Sequence, residues 1–339
     1  MKFRKIAATL ALSAALALGF ALPAFAADAP QVNKTLQTNT GSTVTETFKY
    51  TAEFLPSVSI TGEDVADGLK TEATGPALTI ADINLSAADA ETETEGTGAL
   101  TFGEFPHAGY YAYKITETAG NTDGMTYDDA VYTLLVQRDN DGNNNYFVYE
   151  GEKSSIGIAD EKADGLEFTN TYTETTDEND TNLEIEKTVA GAQGDQTKDF
   201  EFTVTFTAPT YVPEGWTVAN IEASKDGVTV GADGKCTFTL KHGEKITFSN
   251  VIAGTTYAVE ETAVTGYDQS YEAVANGENK TEQANLLIGE NENTGTMTNT
   301  YEDITVTGLV LNNAPFILMA LVAVGGVVAY GALKRKLTA

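Results

Sequence analysis

Apolar residues recur at every second position along much of this chain. Val44, Phe48, Tyr50, Ala52 and Phe54 share one parity, and so do Phe200, Phe202, Val204 and Phe206. Side chains alternate across a strand with period two, so each set predicts a strand with one buried face. Turn signals break the runs, among them Asp139-Asn140-Asp141-Gly142-Asn143 and Ala232-Asp233-Gly234. No internal stretch carries a convincing helical period. Short strands between such turns predict an all-β chain of immunoglobulin-like β-sandwiches.

The alternation is interrupted by a stretch without apolar residues, 174–182, which reads as a linker. It predicts two tandem domains, 27–173 and 183–303, each of ordinary domain size. They echo each other. Each has a Tyr-x-(Ile/Val)-x-Glu strand, and each closes on Thr-Asn-Thr-Tyr, at 169–172 and 298–301.

Within this pattern, six polar residues stand where apolar ones belong. Lys34 lies between Val32 and Leu36, Glu117 follows Tyr113 and Ile115, and Asn170 lies between Phe168 and Tyr172. The second domain repeats the set: Lys187 between Ile185 and Val189, Glu261 after Tyr257 and Val259, Asn299 between Met297 and Tyr301. Their parity points all six into a core, where lone polar groups are costly unless they meet one another. A single inward lysine would be an accident of parity more often than not. Six positions repeated in order argue against accident.

A lysine, an amide and a proton-carrying carboxylate in one dry site can form an isopeptide bond. Burial disfavours the ammonium, which favours the nucleophilic amine. Glu117 or Glu261 can polarise the amide and relay the proton to departing ammonia. Packing supplies the proximity. Each bond, Lys34–Asn170 or Lys187–Asn299, would close a loop of more than 100 residues. By the loop-entropy argument for cross-links, that is worth about 5 kcal/mol at most.

The two ends change the picture from a soluble protein to an exported one. Lys2, Arg4 and Lys5 precede an apolar run, and Ala24-Phe25-Ala26 offers a cleavage site, so 1–26 reads as a signal peptide. Ala314 to Leu333 is uncharged and long enough to span a bilayer. Lys334, Arg335 and Lys336 follow it, which places the C-terminus inside the cell. The segment 309–339 is thus expected to be a transmembrane helix with a basic tail.

Charge is concentrated between these ends. The chain carries −29 overall, and the six basic residues at its ends leave the exported part at −35. Such a surface repels nucleic acid. Cys236 is the sole cysteine, so no intrachain disulfide hardens the protein. It reads as a half-buried strand residue rather than a reactive thiol. With only His107 and His242, no metal-ligand cluster or catalytic triad emerges, and no cofactor is expected. Asp139 and Asp141 read as a hairpin tip rather than a calcium loop. The chain is not expected to be an enzyme beyond its self-processing.

Tyr111-Ala-Tyr-Lys-Ile-Thr-Glu117, Phe168-Thr-Asn-Thr-Tyr172, Lys187-Thr-Val-Ala-Gly191 and Thr197-Lys-Asp-Phe-Glu-Phe202 carry a resemblance. Through them the chain resembles major backbone pilins of Gram-positive bacteria, of the streptococcal T-antigen (FctA) type. The resemblance implies two sandwich domains stacked as an elongated rod, with one Lys–Asn bond each. It maps the lysines to Lys34 and Lys187, the asparagines to Asn170 and Asn299, and the proton relays to Glu117 and Glu261. It also implies a sortase sorting motif, for which 304–308 stands in place, with cleavage between Thr307 and Gly308. The usual proline is missing from this motif. An intersubunit acceptor lysine is implied shortly before the first bonding asparagine, where Lys162 and Lys153 both qualify and Lys162 is nearer in spacing.

The function expected is therefore the structural shaft subunit of a sortase-assembled pilus in the cell wall of a Gram-positive bacterium. Its partners would be other copies of itself, sortase, ancillary pilins and peptidoglycan; a host surface ligand is left open. The alternative is a monomeric sortase-anchored adhesin or stalk, which would not need Lys162 or Lys153.

Overall fold

The computed structural model describes residues 29–63, 65–174 and 182–301. The expected signal peptide, most of the expected linker, the expected sorting motif with Thr307 and Gly308, and the expected transmembrane helix lie outside them. The fold is all-β; the one helix among the described residues is a single 3₁₀ turn, Val218–Asn220.

The alternating runs become strands because each can bury one face against a second sheet. In the first half, a five-stranded sheet runs in the order Leu78–Ile80, Glu93–Phe102, Gln31–Gln37, Leu166–Tyr172, Met125–Thr126. It faces a second sheet ordered Asn144–Glu150, Val131–Arg138, Gly109–Thr118, Val44–Leu55, Ile83–Ala87. Val32, Leu36, Phe48, Tyr113, Ile115, Leu134 and Phe168 fill the space between them. The Asp139–Asn143 run is a hairpin tip, held by amides of Asp141 and Asn143 donating to Asp139 Oδ1 at 2.9 and 2.8 Å.

The strand Val131–Arg138 departs from simple alternation, with Tyr132 to Val136 all buried. The reason is a small parallel pair, Ser59–Thr61 with Ser155–Gly157, that covers the outer face of the second sheet. Leu135, Phe147 and Tyr149 pack there on Val58, Ile60 and Ile156 as a separate apolar cluster.

The second half repeats the plan with six strands against four. Leu183–Ala190 and Asn293–Tyr301 are central in the larger sheet; Phe200–Thr207 and Thr256–Glu261 are central in the smaller. Cys236 is buried in this core, and burial pushes its thiol up to about 11.

In both halves the opening and closing strands pair in parallel. The chain thus enters one strand at one end and leaves the other at the opposite end. Tension through the termini would shear the two strands along their length.

Between the halves, the Asn39 side chain pairs with the Tyr211 backbone in both directions, at 2.7 and 2.9 Å. Thr43 Oγ1 donates to Glu290 Oε2 at 2.6 Å, and Asn276 Nδ2 to Asp89 Oδ1 at 2.8 Å. Gly254 permits this approach: its φ is +93°, and a Cβ there would sit 2.6 Å from that of Asn39.

Candidate functional site

Parallel pairing sets the geometry of each site. Lys34 lies opposite Phe168, two residues before Asn170 on the neighbouring strand. Lys187 lies opposite Met297, two residues before Asn299. The offset is the same in both halves. With period two, lysine and asparagine therefore face the same core as diagonal neighbours. The glutamates reach them from the facing sheet, where Glu117 pairs with Tyr50 and Glu261 with Phe202.

All six residues predicted from the sequence come together as two trios. Lys34 is 1% exposed; Asn170, Lys187 and Asn299 are fully buried. Neither glutamate side chain has accessible surface. In the first site Lys34 Nζ lies 2.5 Å from Glu117 Oε2, and Asn170 Nδ2 donates to Glu117 Oε1 at 2.5 Å. In the second, Lys187 Nζ lies 2.9 Å from Glu261 Oε2, and Asn299 Nδ2 donates to Glu261 Oε1 at 2.5 Å. Each glutamate bridges the amine and the amide, one oxygen to each.

Burial pulls both lysines below their ordinary pKa; the glutamates work against it. At each site an aromatic ring roofs the amine: Phe48 over Lys34 and Phe200 over Lys187, each with its centroid 4.5 Å from Nζ. The rings exclude water while favouring the cation by their quadrupole. A buried ion pair of this kind contributes little net stability, because desolvation of both charges offsets their attraction. Condensation with asparagine would replace the ion pair's lysine by a neutral amide and remove that penalty.

Sequence reasoning missed four contributors. Phe48 and Phe200 read as ordinary core positions, and they are that as well as roofs. Gln269 Nε2 donates to Glu261 Oε1 at 2.9 Å, sharing the oxygen that Asn299 uses. The backbone N–H of Asp128 donates to Asn170 Oδ1 at 2.8 Å. Gln269 and Asp128 have no periodic signature, because they act from a polar strand face and a loop.

Lys153 and Lys162 lie away from the trios. Both line an open basin of about 600 Å³, with Glu150, Asp160, Glu161 and Asp164. Lys162 is half-buried, its Nζ 3.5 Å from the Ile158 carbonyl oxygen and 5.9 Å from the Tyr149 ring centroid.

Comparison with known proteins places these features in context. Residues 30–173 match the FctA family, described as a Spy0128-like isopeptide containing domain. Residues 181–301 match a domain of unknown function, DUF7601. A protein of Streptococcus pyogenes serotype M1 named "Pilin" is 28% identical over 265 residues, 71% of this chain and 72% of that protein. The pilus tip adhesin Cpa of Streptococcus pyogenes is 32% identical over 97 residues, 29% of this chain and 13% of the adhesin. Among solved structures, the major pilin T-13 of Streptococcus pyogenes aligns over 81% of this chain and 98% of its own, at 21% identity and a TM-score of 0.34.

Proposed function

We propose that this chain, whose residues 30–173 match the FctA family model, is a pilin of the T-antigen type and the shaft subunit of a covalent cell-surface pilus. One observation carries the reading: a buried Lys–Glu–Asn trio at the same strand offset in both halves. In each trio the lysine ammonium gives a proton to the glutamate. The free amine attacks Cγ of the asparagine, and the glutamate passes its proton to the amide nitrogen. The carboxylate so regenerated takes the remaining extra proton from the attacking nitrogen, leaving a neutral amide beside a protonated glutamate. The new C–N bond forms, the old one breaks, and ammonia leaves. Each site turns over once, and no cofactor takes part.

The bonds would join Lys34 to Asn170 and Lys187 to Asn299, tying the first strand of each domain to its last. These are the strands that axial tension would shear. The load then passes through covalent bonds, and the backbone hydrogen bonds beside them are shielded. That is what a fibre subunit without disulfides requires.

Polymerisation follows the same logic. A sortase would cut between Thr307 and Gly308 and transfer the Thr307 carbonyl to a lysine of the next subunit. Lys162, or else Lys153, is the acceptor, since both sit in an open basin on the first domain and Lys34 is sealed inside. The transferring enzyme would have to take the proton from that amine before it can attack. Ancillary pilins and peptidoglycan would take the ends of the fibre.

An anti-pilin blot of cell-wall extracts tests this reading. A ladder of covalent multimers is expected, and it should collapse to monomer when Lys162 and Lys153 are both replaced by Arg. A wild-type monomer band would return the chain to the alternative, a wall-anchored adhesin. A ladder surviving in the double variant would place the acceptor elsewhere.

A further inference from the structure

The two trios differ at the atom where charge would develop. In the first, Asn170 Oδ1 accepts a hydrogen bond from the backbone N–H of Asp128 at 2.8 Å. In the second, Asn299 Oδ1 is equally buried, yet it has no hydrogen-bond partner among the described residues. Attack of the amine on Cγ turns this carbonyl oxygen into an oxyanion. A donor already placed about 2.7–3.1 Å from it stabilises that charge at no cost in reorganisation.

The Asp128 amide is held in place by its own side chain. Thr169 N donates to Asp128 Oδ2 at 2.6 Å, and Ala130 N donates to Oδ1 at 2.8 Å. Thr169 is the residue just before Asn170, so the carboxylate pins the loop to the strand that carries the reacting amide. Both carboxylate oxygens are taken up by backbone amides, which fixes the orientation of the loop.

We propose that the Asp128 backbone N–H is a one-donor oxyanion hole for the Lys34–Asn170 condensation, with the Asp128 carboxylate as its positioning group, and that the second domain lacks one. The inference rests on the isopeptide reading above and adds an order of events: the first-domain bond forms before the second. One oxyanion-hole donor is commonly worth about 10²–10³ in rate. Two competing differences, the Gln269 contact to Glu261 and a hydrogen bond from Lys187 Nζ to the Met297 carbonyl oxygen at 3.2 Å, act on the proton relay and on the amine and leave the asparagine carbonyl oxygen untouched.

The test follows both bonds in one chain. Full-length mature protein is made by in vitro translation with photocaged lysine at positions 34 and 187, so that neither bond can form. It is then unfolded in denaturant, uncaged by light, refolded by dilution and quenched in acid at intervals. Cross-linked peptides containing Lys34–Asn170 and Lys187–Asn299 are then quantified separately by mass spectrometry. In the wild type the first bond should form about tenfold faster or more.

A backbone ester at residue 128 keeps the carboxylate and removes only the N–H. It should slow the first bond by about tenfold or more and leave the second unchanged. Asp128→Ala should slow the first bond as well, and Asp128→Asn, which keeps one acceptor oxygen, should recover part of the loss. A merely structural role for Asp128 would let the ester react at the wild-type rate. A first-bond rate in the ester within about twofold of wild type would overturn the proposal while leaving the bonds themselves intact. Ammonia loss at neither site of the wild type would instead overturn the isopeptide reading on which it rests.

Discussion

The two trios share a strand offset, a bridging glutamate and an aromatic roof, yet they are finished differently. The first receives an amide donor from a loop at the asparagine carbonyl; the second receives a glutamine at the glutamate. The shared part comes from the parallel pairing of the opening and closing strands. That pairing brings amine and amide to one face whatever surrounds them. The unshared part comes from loops and facing strands that are free to vary. Proximity is therefore built into the fold, and electrostatic finish is local to each domain.

The largest effect that could break this comparison is loss of either bond. Glu117→Ala should abolish only the Lys34–Asn170 bond, and Glu261→Ala only Lys187–Asn299. Each variant leaves a buried lysine without its carboxylate and frees a loop of more than 100 residues. Denaturant unfolding of the affected domain should show a loss of about 5 kcal/mol, with the other domain unmoved. Equal loss in both domains would mean that the trios are not independent.

The next effect is a pH dependence with a defined sign. In Asn170→Ala the amine has no electrophile, so Lys34 stays a titratable group. Burial holds its folded pKa below the ordinary lysine value of 10.5. Below the folded pKa both states carry the proton, and the burial penalty is felt in full. Between the folded pKa and 10.5 the unfolded chain binds more protons, so stability should rise with pH across that window. Asn299→Ala should show the same sign through Lys187. Asp128 lies near the first lysine and opposes the shift there, whereas only Glu261 does so at the second. Denaturant melts at stepped pH measure both; a flat or falling profile would contradict burial as the dominant influence.

The smallest effect sharpens the difference between the sites. Gln269→Ala removes the amide that fixes Glu261 Oε1 and should slow the second bond severalfold without touching the first. Timed peptide mapping after refolding reads both. An unchanged second rate would assign Gln269 to packing alone.

The sequence made the shared part of this comparison legible and hid the rest. Lys34, Asn170, Lys187 and Asn299 were visible because period two leaves an inward lysine or asparagine nowhere else to point. Glu117 and Glu261 were visible for the same reason. The Asp139–Asn143 tip was legible from turn chemistry. The double-sided burial of Val131–Arg138 was not, because the covering pair Ser59–Thr61 and Ser155–Gly157 is too short to show a pattern. Asp128 was hidden because it acts through its backbone N–H, which every non-proline residue has. Gln269 was hidden because a polar residue on a strand usually means solvent.

The central claim is that each trio becomes a covalent bond, and intact mass is its most direct measure. Wild-type mature protein should weigh less than its sequence by two molecules of ammonia. Glu117→Ala and Glu261→Ala should each regain one, and the double variant both. A wild-type protein at its full sequence mass would contradict the account.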